Sequence, residues 1–408
     1  MGHGWMTQHL IARLGLILLV ASLVAIFTQR ARLPYSVGLV AAGIGLSFLP
    51  NGVVLPLTPD IIFTVLLPPL VFEAALNIRW RPFRRDMPVI LLLAFAGVAI
   101  AALVVAAGMH LLAGWPWISA ALFGALIAAT DPVSVVATFK EIKVESRLSL
   151  LIEAESLVND GAAAVGFVVL VGIMSGPTDG PGSLAASLLW TLFGGVAIGG
   201  AIAGALLLVA GRTTDHLVEI TLTTIAAYGS FLIAHDLGTS GVVASLTAGM
   251  VVGNVGWTGP ITETSRDYVQ SFWQYAAFLT NSLVFILIGG YEGSQGTTLF
   301  SLTSLTAIAL VLLGRVLAVY PICALFAGSR LRVDLRHQHV LVWGGLRGAL
   351  ALALALALPG GLPHRGAIIA AAFAVVAFSV FAQGLTMLPL LRALKLTRGA
   401  AEEQEGAA

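Results

Sequence analysis

Stretches of about twenty apolar residues, the length a membrane-spanning helix needs, recur along almost the whole chain and leave it few folds to adopt. Within hydrocarbon every backbone polar group must find a partner inside the protein, so spanning segments are helices or closed barrels. The stretches lie at 10–28, 35–50, 57–76, 88–113, 117–139, 148–174, 184–210, 217–235, 239–254, 268–289, 301–326, 338–358 and 366–391. They are continuous and lack the period-two alternation of a transmembrane barrel, which favours helices. Composition agrees: 58% of the residues are hydrophobic and 10% charged, with a mean hydropathy of +0.97, far from a soluble domain. A cleaved leader would carry basic residues before its apolar core. The first basic residue here is Arg13, already at the edge of the apolar stretch, so 10–28 is read as a retained helix. The single cysteine, Cys323, offers no intramolecular disulfide.

A missed or invented span would scramble the alternation of basic loops that sets membrane orientation. The alternation holds. One set of loops carries Arg30 and Arg32, then Arg79, Arg81, Arg84 and Arg85, then Lys140, Lys143 and Arg147, then Arg212, Arg266, the group Arg330, Arg332 and Arg336, and finally Arg392, Lys395 and Arg398. The intervening loops hold only Arg365. The expectation is thirteen spans with the N-terminus outside and the C-terminus cytoplasmic: one transmembrane transporter unit over 1–392 and a short cytoplasmic tail over 393–408.

Two spans carry helix-disturbing chemistry in their middles. The fifth contains Thr130-Asp131-Pro132, and the twelfth contains Gly344-Gly345-Leu346-Arg347-Gly348. They are the fifth members of two groups of six that flank the seventh span, and that arithmetic makes the second group inverted relative to the first. Paired interrupted helices at matching positions of inverted repeats point to a transporter's substrate site.

An ionisable side chain at the bilayer centre costs about 2.5–3.5 kcal/mol on insertion scales, so each asks for a partner or a function. Glu73 lies in the third span, Asp131 in the fifth, Glu153, Glu155 and Asp160 in the sixth, Arg315 in the eleventh and Arg347 in the twelfth. Helical period places Ser156 and Asp160 one turn apart, with Glu153 a turn earlier, while Glu155 and Asn159 form a second i,i+4 pair. Hard monovalent cations prefer oxygen ligands, and carboxylates, hydroxyls and freed carbonyls gather at Thr130-Asp131 and at 156–160. Burial favours the protonated form of a carboxylate and a bound cation favours the ionised form, so the two compete for one group. A lone arginine among glycines, Arg347, is read as neutralising a buried carboxylate, with Glu155 as its expected partner. Glu153 is left open between ion binding, pairing with Arg315 and facing a cytoplasmic funnel. His337 and His339 read as a solvated interfacial cluster, and glycines 195, 199, 200 and 204 as a small-residue seam serving either internal packing or dimerisation. A cation channel would favour rings of charge from several subunits. An intramembrane aspartyl protease could also use two membrane aspartates, but the surroundings of Asp131 and Asp160 do not resemble protease motifs.

Taken together, Leu67-Pro-Pro-Leu-Val-Phe-Glu-Ala-Ala-Leu76, Ala129-Thr-Asp-Pro-Val133, Glu153-Ala-Glu-Ser-Leu-Val-Asn-Asp-Gly161, Leu287-Ile-Gly289 and Gly344-Gly-Leu-Arg-Gly-Ala349 resemble the NhaP-type sodium/proton antiporters, prokaryotic relatives of the animal sodium/hydrogen exchangers. The resemblance implies an all-α membrane protein with an ion-carrying bundle and a dimerisation domain interleaved in sequence. In it the fifth and twelfth helices are unwound where they cross, and access alternates by an elevator-like motion. It implies a homodimer of the inner membrane that exchanges Na+ or Li+, with K+ a further candidate, for H+ in an electroneutral 1:1 cycle serving pH homeostasis. No cofactor is called for beyond the transported cation and protons. Cation and proton binding fall to Asp160, Asp131, Ser156, Thr130, Glu73 and Asn159. Of these, Asp160, Asp131, Ser156 and Glu73 are expected to contact the cation directly, with Glu155 paired to Arg347. Ala154 stands where the family motif usually has glycine, and the tail is shorter than the regulatory domain of the animal exchangers.

Overall fold

The computed structural model describes residues 2–31, 33–48, 61–142, 144–175, 181–295 and 301–396, all of whose regular elements are helical. In chain order these are α1 (Gly2–Ala31), α2 (Tyr35–Ser47), α3 (Leu67–Asn77), α4 (Trp80–Leu92), α5 (Val98–Ala113), α6 (Trp117–Ala128), α7 (Val133–Ile142), α8 (Ser146–Ser175) and α9 (Pro181–Ala210). The order continues with α10 (His216–Asp236), α11 (Gly241–Asn254), α12 (Glu263–Gln295), α13 (Leu302–Leu325), α14 (Leu335–Trp343), α15 (Ala349–Leu356), α16 (Arg365–Phe378) and α17 (Leu385–Ala393). Among the described residues nine helices are long and apolar enough to cross a membrane, α4–α5 and α16–α17 each counting as one through a π-helical junction. Shorter apolar helices occupy Tyr35–Ser47, Thr64–Asn77 and Trp117–Ala128.

Each expected stretch contains a helix, although several ends shift. The fourth begins at Trp80, well before the expected 88, and carries Pro88 inside it. Residues 57–60 of the third stretch, and the tail beyond 396, lie outside the described residues. Polar side chains set several starts: Asp215 accepts from the Leu217 N–H at 2.8 Å and Ser301 from the Ser304 N–H at 3.1 Å, each capturing one of the orphan donors of a helix N-terminus.

The helices pack in two groups. α4–α8 pack with α13–α17, α1–α3 pack with α9–α12, and the groups meet along α8 where it touches α3, α9 and α11. Small residues let the second group close tightly: Gly43 on α2 faces the Ile286 carbonyl and Gly289 of α12, and Gly253 on α11 faces the Leu76 carbonyl of α3. A side chain at these positions would collide with backbone, as at other small-residue seams in membranes. The 195/199 pair belongs to such a seam, against Ser240 at the N-cap of α11 and Val243 and Ala244 within it, so internal packing accounts for it.

Candidate functional site

Both expected interruptions are present. α6 stops at Ala128 because Pro132 denies the helix an N–H and disfavours a helical Asp131, and the chain runs irregularly through 129–132 before α7. Residues 344–348 likewise separate α14 from α15. Irregular backbone at this depth survives only if its polar groups find partners, and here they do. Ala128 and Ala129 carbonyls accept from Arg347 Nη1 at 2.7 and 2.9 Å. The Thr130 N–H donates to Asn159 Oδ1 at 3.1 Å, and the Thr130 carbonyl accepts from Ser156 Oγ at 2.5 Å. The Asp131 N–H donates to the Leu346 carbonyl at 2.8 Å, joining one interruption to the other. On the second segment, Ser379 Oγ accepts from the Arg347 N–H at 3.0 Å and donates to its carbonyl at 3.1 Å, while Gln383 Nε2 donates to the Trp343 carbonyl at 2.9 Å. Ser379 and Gln383 are one turn apart in the π-helical stretch before α17.

Hydroxyl and amide order follows from the donors available. Asn159 Nδ2 donates to Thr130 Oγ1 at 2.6 Å, Thr130 Oγ1 and Ser156 Oγ share a bond of 2.6 Å, and Ser156 returns a proton to the Thr130 carbonyl. With Ser156 donating to the carbonyl, the Thr130 hydroxyl is the donor to Ser156. The same Asn159 amide donates to Glu155 Oε1 at 3.1 Å, as the i,i+4 spacing predicts.

The expected Glu155–Arg347 pair is not what forms. Glu155 Oε1 is bridged at 2.8 Å by Arg315 Nη1, both side chains buried, and Arg315 Nη2 donates at 2.8 Å to the Leu341 carbonyl near the end of α14. Arg347 instead places its charge at the C-terminal end of α6, where carbonyls gather negative potential. Each interrupted helix therefore has its carbonyl end met by an arginine, and two glycines of the second break leave room for charged side chains. A Cβ on Gly345 would strike the Arg315 side chain, and one on Gly348 would strike the Asp131 carboxylate.

Of the six residues expected at the ion site, Glu73, Thr130, Asp131 and Asp160 line one cavity of about 80 Å³, together with Asn281 of α12 and backbone at Gly348. That is room for a few water-sized bodies. Ser156 and Asn159 stand behind Thr130 and hold it, rather than lining the cavity. The cavity lies between the two helix groups, with α3 and α12 on one side and α8 and the two interruptions on the other. Asp160 is within electrostatic reach of Asp131, Glu155 and Arg347. Glu73 accepts at Oε1 from Asn77 Nδ2 at 2.9 Å. Glu73 thus shares one cavity with Asp131 and Asp160.

Several residues escaped the sequence reading. Asn281, Ser379 and Gln383 are polar groups in the middle of apolar stretches, the signal used to find Asp131 and Asp160. Glu219 of α10 is fully buried, and among the described residues neither carboxylate oxygen has a hydrogen-bond partner. His337, expected to be solvated, is buried and lies 3.3 Å from Glu145 Oε2, and His339 Nδ1 meets Tyr320 Oη at 2.6 Å.

The chain matches the family model described as "Sodium/hydrogen exchanger, transmembrane" over residues 16–393. It is 39% identical over 380 residues to the Na(+)/H(+) antiporter ApNhaP of Aphanothece halophytica, covering 92% of this chain and 73% of that protein. It is 33% identical over 348 residues to the Na(+)/H(+) antiporter NhaP of Pseudomonas aeruginosa, covering 82% and 81% of the two chains. In fold it is similar to the sodium proton antiporter MjNhaP1 of Methanocaldococcus jannaschii, with a TM-score of 0.74 at 21% identity, covering 96% of this chain and 99% of that one.

Proposed function

The chain belongs to the sodium/hydrogen exchanger family, on its NhaP-type branch, and we propose that it exchanges Na+ for H+ across the membrane at the cavity bounded by Asp131 and Asp160. The observation that carries this reading is the pair of aspartates on one small cavity, built where two interrupted helices are hydrogen-bonded together and where the two helix groups meet. Two carboxylates in so small a space repel when both are ionised, and the repulsion is relieved either by a proton on one of them or by a cation between them. Occupancy by one excludes the other, which couples the two fluxes. Asp160 is the group for which cation and proton compete. Asp131 sits just ahead of the N-terminal end of α7, whose dipole favours its charge, and supplies the second carboxylate. Thr130 offers oxygen to the cation. Ser156 and Asn159 act by holding Thr130 in place, and Glu73 faces the cavity from α3.

The cycle is electroneutral, one Na+ or Li+ for one H+, with K+ as a further candidate substrate. Access alternates by an elevator-like displacement of the α4–α8/α13–α17 group against the α1–α3/α9–α12 group. The chain carries thirteen spans in two inverted six-helix repeats and works as a homodimer in the inner membrane, N-terminus outside and C-terminus cytoplasmic, in the service of pH homeostasis. The seven basic loops on one side support that orientation.

The test is reconstitution into liposomes holding a pH-sensitive dye, with an imposed proton gradient and sodium, lithium or potassium added in turn. The expected result is cation-driven dissipation, insensitive to a clamped membrane voltage. Lowering the pH should raise the sodium concentration for half-maximal exchange, and saturating sodium should restore the rate. Folded protein that moves protons with none of the three ions would end the antiporter reading; a rate loss at low pH that sodium cannot restore would end the competition.

A further inference from the structure

A cleft of about 1220 Å³, far larger than the carboxylate-lined cavity and above the range of about 300–1,000 Å³ of small-molecule sites, opens between α4 on one side and α9 and α11 on the other. Its walls are apolar along most of their length, with Met87, Leu91 and Phe95 facing Phe193, Val196 and Leu246. Phe95, Phe193 and Val196 are exposed, so the cleft opens among exposed apolar side chains of the spanning helices. One end differs in chemistry, being formed by Arg79, Trp80 and Arg81. Asn254 at the foot of α11 fixes that end, accepting from the Trp80 N–H at 2.7 Å and donating to the Ile78 carbonyl at 2.9 Å. The nearby Arg85 and Arg147 both close on Asp86. Arg79 and Arg81 are exposed, and neither guanidinium has an ion pair or hydrogen bond among the described residues.

We propose that this cleft seats an anionic phospholipid, its phosphate on Arg79 and Arg81 and an acyl chain along the apolar walls. Charge complementarity selects the occupant. A long apolar slot accepts a hydrocarbon chain, two uncompensated guanidiniums at one end require an anion, and guanidinium forks bind phosphate oxygens well. A phospholipid joins both chemistries in one molecule. The cleft also lies on the boundary between the two helix groups, with Val158 of α8, two residues from Asp160, among its lining, so the lipid would occupy the seam along which α8 faces α9 and α11.

The experiment is native mass spectrometry of the full chain, delipidated in detergent and offered equal amounts of phosphatidylglycerol and phosphatidylethanolamine. Wild type is expected to retain phosphatidylglycerol selectively. The double substitution Arg79→Gln/Arg81→Gln should lose that selectivity by roughly tenfold or more, given the attraction of basic residues for anionic lipid. Arg79→Lys/Arg81→Lys should keep most of it. Val196→Trp, at an exposed position on the slot, should weaken retention of the lipid without touching the arginines, and a monodisperse gel-filtration profile establishes that each variant is folded. Equal retention of both lipids by wild type, or unchanged selectivity in the glutamine variant, would each overturn the proposal. Because the readout is bound lipid and involves no transport, its failure is separate from any failure of the exchange reading.

Discussion

The two interrupted helices look alike in sequence logic but do different work. The break at 129–132 contributes chemistry, since Asp131 and Thr130 line the cavity, and the backbone of Thr130 is held by polar side chains of α8. The break at 344–348 contributes space and charge. Gly348 leaves room for the Asp131 carboxylate, Arg347 reaches across to the carbonyl end of α6, and its own backbone is held by Ser379 and Gln383. A matched pair of helix breaks therefore need not supply matched ligands; one can present the ion's oxygens while the other keeps them correctly placed.

Substitutions can break or sharpen that contrast. The largest effect is expected at Asp160, where Asp160→Asn should reduce liposomal exchange to background while thermal unfolding of the detergent-solubilised protein stays close to wild type; exchange that persists would remove Asp160 from the centre of the site. Next comes Gly348→Ala, whose added methyl would meet Asp131. Displacing a preorganised group by about 1 Å can cost on the order of a hundredfold in rate, and a loss of that order is expected in the exchange assay. Near-normal rates would mean that the second break does not shape the first. Third, Arg315→Ala strands buried Glu155 and should destabilise by about 3–5 kcal/mol, read as a lowered unfolding midpoint. The double substitution Glu155→Leu/Arg315→Met should recover much of that stability, and an unstable double variant would show that the pair does more than neutralise itself. The smallest effects separate the two breaks most directly. Asn159→Ala and Ser379→Ala each leave a buried N–H unsatisfied, at about 1–3 kcal/mol. Only the first, which also releases Thr130, should lower the apparent affinity for sodium at equal stability loss.

Much of this arrangement was legible in the sequence because it rests on local chemistry. Pro132 and the glycines of 344–348 mark helix breaks by what their backbones cannot or need not do. The i,i+4 relation of Glu155 to Asn159 is fixed by helical period alone, and the bond forms. Partner choice between distant helices was not legible. Arg315 and Arg347 are both buried arginines in apolar stretches, one on α13 and one in the break after α14, and which of them reaches Glu155 is decided by tertiary packing around α8. For the same reason the bond from Ser156 to the backbone of the neighbouring break was not legible. Asn281 could have been found by the rule that found Asp131, but a neutral amide in an apolar run draws less notice than a charge.

The hydrogen bond from the Asp131 N–H to the Leu346 carbonyl has a consequence for how such a chain can change over evolutionary time. Inserting or deleting one residue in an α-helix turns everything beyond it by about 100°, since a turn takes 3.6 residues. In α6 or α14 such a change would pull Asp131 and Leu346 out of register and unmake both breaks together. The lengths of these two helices are thus coupled through the joint, and a one-residue change in either would need a compensating change to restore it.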